Sequence, residues 1–353
     1  MTNPLPRTHA ALLSGIDLAQ HLGAQLYVSL RGQVVIDEAV GHVRENEPLT
    51  TDHLMLWMSA GKPLTAALVL RAVDQGQLAL DDHVADHLPT FAQNGKQDVT
   101  IRHILTHTAG FRGPLNNFTP GTWDDILQRV FALRQEPGWS PGFKAGYHIG
   151  SSWFVLGELL RAVGQPLGGR LPILDDVWIS LDHAEQAALA PRIAPMYVVE
   201  EFELEDDFVG NEPALMTVPR PGASVRGPIR QLGHFYEHLL QGGGPLLSER
   251  SAHQMIRRQR RGMFDFTFRQ VIDWGLGLMI DSKQYGGLHA YGFGPHASPE
   301  TFGHGGNQST CGFADPLHGL VVAWACNGMP GEQVHQQRAN TINAAIYEDL
   351  GLA

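Results

Sequence analysis

Strand-like runs lie near both ends of this chain and helix-like runs lie between them, and no other feature constrains the fold as much. Gln25-Leu-Tyr-Val-Ser-Leu30 and Gln33-Val-Val-Ile-Asp37, within 24–43, read as two β-rich segments meeting at Arg31-Gly32, a hairpin signal. The pattern returns to strands from Asp273 onward, at Trp274 to Ile280, Gly312 to Asp315 and Leu320 to Cys326. The two ends must then share one sheet, closed from distant parts of the chain, with a helical insertion between them. Apolar periodicity predicts helices over 64–79 (Leu64, Ala67, Leu68, Leu70, Ala72 and Val73 inward, Asp74-Gln-Gly76 as the stop), 100–106 and 151–163. Further helices are expected over 229–240, before Gly242-Gly243-Gly244, and over about 333–350. An N-terminal amphipathic helix presents Ala11, Leu12, Ile16, Leu18, Ala19 and Leu22. Residues 166–230 hold little periodicity and read as loops over the helical region. The expected architecture is an α/β region (1–60 and 260–353) plus a mainly helical region (61–259), with a ligand cleft between them.

Composition narrows the function. Apolar residues make up 43% of 353 and charged residues 17%, ample for a large buried core. The net charge of −11 argues against nucleic acid as a partner and against a polybasic membrane anchor. Cys311 and Cys326 supply neither a disulfide framework nor zinc-site spacing, and read as buried packing. No targeting segment is legible and no apolar run approaches about eighteen residues, so the expected location is the cytoplasm.

Chemistry concentrates at Ser59-Ala60-Gly61-Lys62, just ahead of the 64–79 helix. A serine there sits where free N–H groups favour developing negative charge, and a lysine three positions on lies on the same face. The competing reading is a serine N-cap followed by a solvated lysine. Other candidates are weaker. His103 and His107 are four apart but no H-E-x-x-H pattern accompanies them, so no metal and no cofactor is expected. Neither G-x-S-x-G nor G-x-x-x-x-G-K-[ST] occurs. The acidic run Glu200 to Asp207 reads as a solvated loop, and Arg257-Arg258 with Arg260-Arg261 as a solvated loop or a contact with that run.

Context strengthens the Ser-x-x-Lys. Trp57-Met-Ser-Ala-Gly-Lys-Pro-Leu-Thr-Ala66, Gly76-Gln-Leu-Ala-Leu-Asp-Asp82, Leu88-Pro-Thr-Phe91 and Thr100-Ile-Arg-His-Ile-Leu-Thr-His-Thr-Ala-Gly110 follow in order. Pro141-Gly142 through Tyr147 to Leu160, Leu240-Gln-Gly-Gly243, Trp274-Gly-Leu-Gly-Leu278, Phe302-Gly-His-Gly-Gly306 and Asn327-Gly-Met329 continue the series. Together these motifs resemble the serine β-lactamase and penicillin-recognising family, in its class C-like esterase branch (family VIII carboxylesterases), from about residue 50 onward and most weakly over 166–226. The resemblance implies a β-lactamase-like fold, an antiparallel sheet from both chain ends flanked by helices with an inserted helical region. It implies Ser59 as acylating nucleophile, Lys62 as its partner and Tyr147 as general base, and as acid toward the leaving group. A cation about 4 Å away is worth roughly three pKa units at an effective dielectric near 20, so Lys62 is expected to bring the Tyr147 phenol into range. His304-Gly305-Gly306 aligns with the family's K-T-G strand and lines the site, and the backbone N–H groups of Ser59 and Asn307 would form the oxyanion hole.

Two departures matter. The family's Tyr-x-Asn is Tyr147-His148-Ile149 here, and His304 replaces the K-T-G lysine. Both remove groups that would hold a β-lactam. The expected function is therefore a serine hydrolase of small-molecule carboxylic esters, an esterase or acyltransferase. A β-lactamase or D-aminopeptidase/DD-peptidase-like amide hydrolase is the alternative, and a non-catalytic binding protein that keeps the fold is a further one.

Overall fold

The computed structural model describes residues 3–113, 115, 117–201, 203–286 and 291–353. Among them, strands β1 (Gly23–Leu30), β2 (Gln33–Arg44) and β3 (Glu47–Pro48) come from the N-terminal end. Strands β4 (Asp273–Trp274), β5 (Met279–Ile280), β6 (Phe302–Gly306), β7 (Thr310–Asp315) and β8 (Leu320–Cys326) come from the C-terminal end. All eight form one antiparallel sheet in the order β4-β5-β6-β7-β8-β1-β2-β3. The seam between the chain ends is the β1–β8 pair, in register from Ala24 opposite Cys326 to Leu30 opposite Leu320. The hairpin at Arg31-Gly32 forms as expected, both residues taking the positive φ that matches the strand twist (50° and 77°). The stretch 274–280 is not one strand. Gly277 turns at φ 77° and β4 folds back on β5, Asp273 opposite Ile280.

Both faces of the central strands β1, β6, β7 and β8 are covered, which explains why β1 and β8 read as nearly continuous apolar runs, while β2 toward the edge is partly exposed. Successive residues of β1 alternate between faces. Leu26 and Val28 pack with Trp324, Ile342 and Ile346, under helices α1 (Pro6–Asp17) and α5 (Glu332–Asp349). Tyr27 packs in the cluster of Leu232, Phe235 and Tyr236 on helix α4 (Ile229–Leu240). Helix α4 therefore lies on the sheet although it falls within 61–259. The N-terminal helix stops at Asp17, earlier than its apolar spacing predicts, and Ala19 beyond it adopts φ 52°.

The helical region centres on α2 (Lys62–Asp74) and α3 (Ser151–Ala162). Every residue of α2 from Lys62 to Leu70 is buried, so it is a core helix rather than an amphipathic surface one. It ends five residues before Ala79, because Gln75 caps it and Gly76 takes φ 70°. Two helices carry signals that periodicity alone overlooked. Trp123–Ala132 opens on a Thr122/Asp125 capping box, and Glu249–Ile256 opens on Ser248.

Three expectations change. Residues 166–230 are not simply loops: His183–Leu189 is a helix behind an Asp182/Glu185 capping box, and Tyr197–Glu200 pairs with Glu203–Glu205 and, in parallel, with Gly328–Met329. Much of the acidic run is thus hairpin, not loop. The basic cluster divides: Arg257 and Arg261 are exposed as a solvated loop predicts, while Arg258 and Arg260 turn to carboxylates outside the acidic run. Arg260 is buried on Asp265 (3.0 Å) and Arg258 pairs with Asp273 (3.0 Å) and Glu300 (2.8 Å). A buried guanidinium needs a paired carboxylate close by, and Asp265 and Asp273 supply it. Cys311 and Cys326 are free and buried. No helix among the described residues is long and apolar enough to cross a membrane.

Candidate active site

Ser59 occupies a one-turn helix, Met58–Gly61, that runs directly into α2. The turn is pinned on both sides. Trp57 N–H donates to Val225 O (2.9 Å), and Met58 takes the left-handed φ of 51°. A side chain on Gly61 would strike Val225 at 2.7 Å, and one on Gly306 would strike Trp57 O at 2.3 Å. The close approach of β6 to the serine turn therefore requires glycine at 306. Met58, Ala60 and Gly61 are buried while Ser59 stays partly open, so the hydroxyl faces outward from a fixed support.

Lys62 is the first residue of α2 and has no solvent exposure. Its Nζ donates to Ser59 Oγ (2.9 Å) and to Gly222 O (2.6 Å), and lies 5.3 Å from the Tyr147 ring centroid and 5.4 Å from that of Trp153. Ser59 makes no capping bond and Lys62 is not solvated, so the competing N-cap reading fails on both counts. Among the described residues no carboxylate pairs with the amine, and burial pushes its pKa well below the usual lysine range.

Tyr147 packs at the other side of the serine. Its ring sits between those of Phe268 (4.8 Å), His107 (4.7 Å) and Trp274 (5.7 Å). Its backbone is held twice: the N–H donates to Asp265 Oδ1 (3.1 Å) and the carbonyl accepts from Thr267 Oγ1 (2.9 Å). The Arg260–Asp265 pair thus fixes the tyrosine from behind. Burial raises the phenol pKa, and the hydrogen bond with Ser59 only partly opposes this. The expectation that Lys62 lowers it is not met in the resting site. The lysine is itself desolvated, and the penalty on a buried phenolate outweighs its attraction.

His304 lies on β6 and lines the cleft with Gly305 and Asn307; Gly306 faces the serine turn instead. His304 Nδ1 donates to Gly305 O (2.7 Å), which leaves Nε2 as a buried lone pair with no partner among the described residues. Burial, reinforced by Lys62, depresses its pKa to about 3, so the ring is neutral. Ile149 lines the cleft half exposed, while His148 turns into the core. His103 and His107 do not face one another as a metal pair. His103 Nδ1 accepts from Thr100 N–H, and His107 Nδ1 accepts from His148 N–H behind Tyr147.

The cleft holds about 630 Å³. One wall carries Met58, Phe118, Phe208 and Val209, with Phe118 and Phe208 edge to face at 5.2 Å. Phe268, Tyr291, Glu332 and Gln336 line the cleft as a second connected group. A partly open serine backed by a buried lysine in such a cleft has the arrangement needed to form and release a covalent acyl intermediate.

The family profile described as beta-lactamase matches residues 15–346. The chain belongs to the beta-lactamase family. Among its relatives, the esterase/beta-lactamase LipL of Mycobacterium tuberculosis is 26% identical over 341 residues, spanning 86% of this chain and 77% of its own. Esterase EstB of Burkholderia gladioli is 32% identical over 174 residues, 43% of this chain and 44% of its own. The crystal structure of a penicillin-binding protein homologue from Caulobacter crescentus superposes with a TM-score of 0.78 at 27% identity, covering 99% and 98% of the two chains. The expected β-lactamase-like fold is the fold of this chain.

The cleft of this beta-lactamase family member is also lined by residues that no sequence motif marks. Asn117 lines the cleft with its Oδ1 buried and without a partner among the described residues. A side chain on Gly222 would meet that oxygen at 2.9 Å and Lys62 Nζ at 3.2 Å, so both converge on one spot. Phe208 and Val209 follow the acidic hairpin, and Glu332 opens α5. No motif marks any of them. They reach the site only through tertiary folding.

Proposed function

We propose that the protein is a serine hydrolase of small-molecule carboxylic esters that passes through an acyl-enzyme on Ser59. The observation that carries this reading is Lys62, buried without a carboxylate and 2.9 Å from the Ser59 hydroxyl. Burial lowers its pKa and so favours the neutral amine, the form that can accept the serine proton. Ser59 Oγ bonds to the ester carbonyl carbon while the proton moves toward Lys62 and Tyr147. The carbonyl oxygen becomes an oxyanion stabilised by the backbone N–H groups of Ser59 and Asn307. The phenol of Tyr147, kept protonated by burial, donates its proton to the departing alkoxide as the C–O bond breaks, and recovers one from Ser59 through Lys62. Water, or an acceptor alcohol, then enters by the reverse route and releases the acid. Phe118, Phe208 and Val209 suit an apolar acyl chain, and the unpartnered Oδ1 of Asn117 suits a donor on it.

Ester hydrolysis is favoured over β-lactam or other amide hydrolysis by what faces the cleft. The K-T-G position holds a neutral histidine and the Tyr-x-Asn position holds isoleucine, so neither anchors a β-lactam. The mixed name of the Mycobacterium relative keeps amide hydrolysis as the second reading. Turnover of p-nitrophenyl butyrate, with intact-mass detection of the butyryl adduct, tests the proposal. Ser59→Ala should lose both turnover and adduct; equal hydrolysis by the two proteins would sink it.

A further inference from the structure

The leaving-group wall of the cleft carries a charge that nothing in the ester mechanism uses. Glu332, at the first position of α5, has Oε2 on the Tyr291 hydroxyl (2.7 Å) and Oε1 on Gln336 Nε2 (3.0 Å). Both donors are neutral, and no ion pair to Glu332 forms among the described residues. Tyr291 and Phe268, half buried with ring centroids 6.2 Å apart, stand beside it on the same wall. The cations nearby are committed elsewhere. Arg338, further along α5, turns Nη1 and Nη2 to the carbonyls of Gln20, Gln308 and Gly328, and Arg112 is paired with Glu136. Lys62 faces Ser59, and His304 is neutral.

We propose that Glu332, Tyr291 and Phe268 form a cation-accepting subsite for the alcohol portion of the substrate. The inference rests on the acyl-enzyme reading, because Tyr147 protonates the leaving oxygen and so marks the side on which the alcohol departs. From Tyr147 that side runs to Phe268 (4.8 Å), then Tyr291, then Glu332, and a substrate reaching along it ends between two aromatic faces and a carboxylate. This combination attracts an ammonium group and repels a carboxylate. The substrate class is esters of amino alcohols or of neutral alcohols, and acidic alcohols are excluded.

Butyrate esters of choline, of its uncharged isostere 3,3-dimethylbutan-1-ol and of 3-hydroxypropionate separate the outcomes. In the wild type, kcat/KM for the choline ester should exceed that of the isostere about tenfold, with the anionic ester about tenfold below it. Glu332→Gln should bring both ratios toward one, and Glu332→Lys should invert them. A choline-to-isostere ratio at or below one in the wild type, or one that Glu332→Gln leaves unchanged, overturns the subsite. Equilibrium binding of the same three esters to Ser59→Ala reads the charge order without chemistry. Failure of the nucleophile assignment would therefore leave this order intact, and failure of the subsite would abolish it.

Discussion

Lys62 and Lys96 are both sealed from solvent, yet one faces a hydroxyl and the other a ring of carbonyls. Lys96 Nζ donates to Gln93 O (2.9 Å), Phe131 O (2.8 Å) and Leu133 O, with the Phe91 ring 5.2 Å away. Its three donors match three acceptors, and its pKa falls only to about 8. It stays an ammonium near pH 7 and staples two loops together. Lys62 has one carbonyl, one hydroxyl and two aromatic faces, so its charged form is poorly solvated and burial holds its pKa well below the usual lysine range. Burial alone does not make a lysine reactive; incomplete replacement of its hydration shell does.

The largest expected effect follows from that contrast. Lys62→Met should slow acylation of Ser59 by at least about 10³-fold, measured by single-turnover release of p-nitrophenol. Lys96→Met should leave that rate within about twofold but lower Tm by several degrees, since each stranded carbonyl costs about 1–3 kcal/mol. A Lys96→Met protein that stays folded yet acylates as slowly as Lys62→Met would break the comparison. Lys62→Arg sharpens it: a guanidinium keeps the charge but cannot accept the proton, so acylation should stay as low as in Lys62→Met.

The same contrast shows what could be read in advance. Ser59 and Lys62 were legible because both lie within one helical turn, where spacing alone dictates proximity. The seam of β1 with β8 was legible because two short strand-rich ends have few other ways to bury both faces. Arg260 was not. Its partner Asp265 lies in a two-residue strand, Phe264–Asp265, too short to leave a period that would say whether a charge is buried. Asn117, Phe208 and Glu332 come from three separate segments with no shared period, and only packing against the sheet end brings them to one cleft. The long run 166–230 hid its helix and hairpin because both are short and lack a sustained apolar face.

Tyr147→Phe gives a smaller loss. The ring packing against Phe268, His107 and Trp274 is kept and only the hydroxyl goes, so acylation of a poor leaving group should fall about 10²-fold. For p-nitrophenolate, which departs without protonation, the loss should shrink. Equal losses for ethyl and p-nitrophenyl butyrate would remove the acid role from Tyr147 and leave proton transfer to Lys62 alone.

The smallest effect concerns pH. Acylation needs Lys62 unprotonated, so kcat/KM should rise as pH climbs through its folded pKa, which burial holds well below the ordinary value of about 10.4. His304 lies in the same cleft and could in principle set that limb, since an unperturbed histidine titrates near 6.5. Its pKa is pushed to about 3, however, because burial and the nearby lysine both oppose a second charge. Across the working range His304 is therefore a constant neutral acceptor, and it exerts no changing field on Lys62. His304→Gln should move the acid limb of kcat/KM by less than about half a pH unit, whatever it does to the plateau. A larger shift would mean that the histidine and the lysine titrate as a coupled pair, and the lone pair at Nε2 would then be part of the proton path rather than part of the wall.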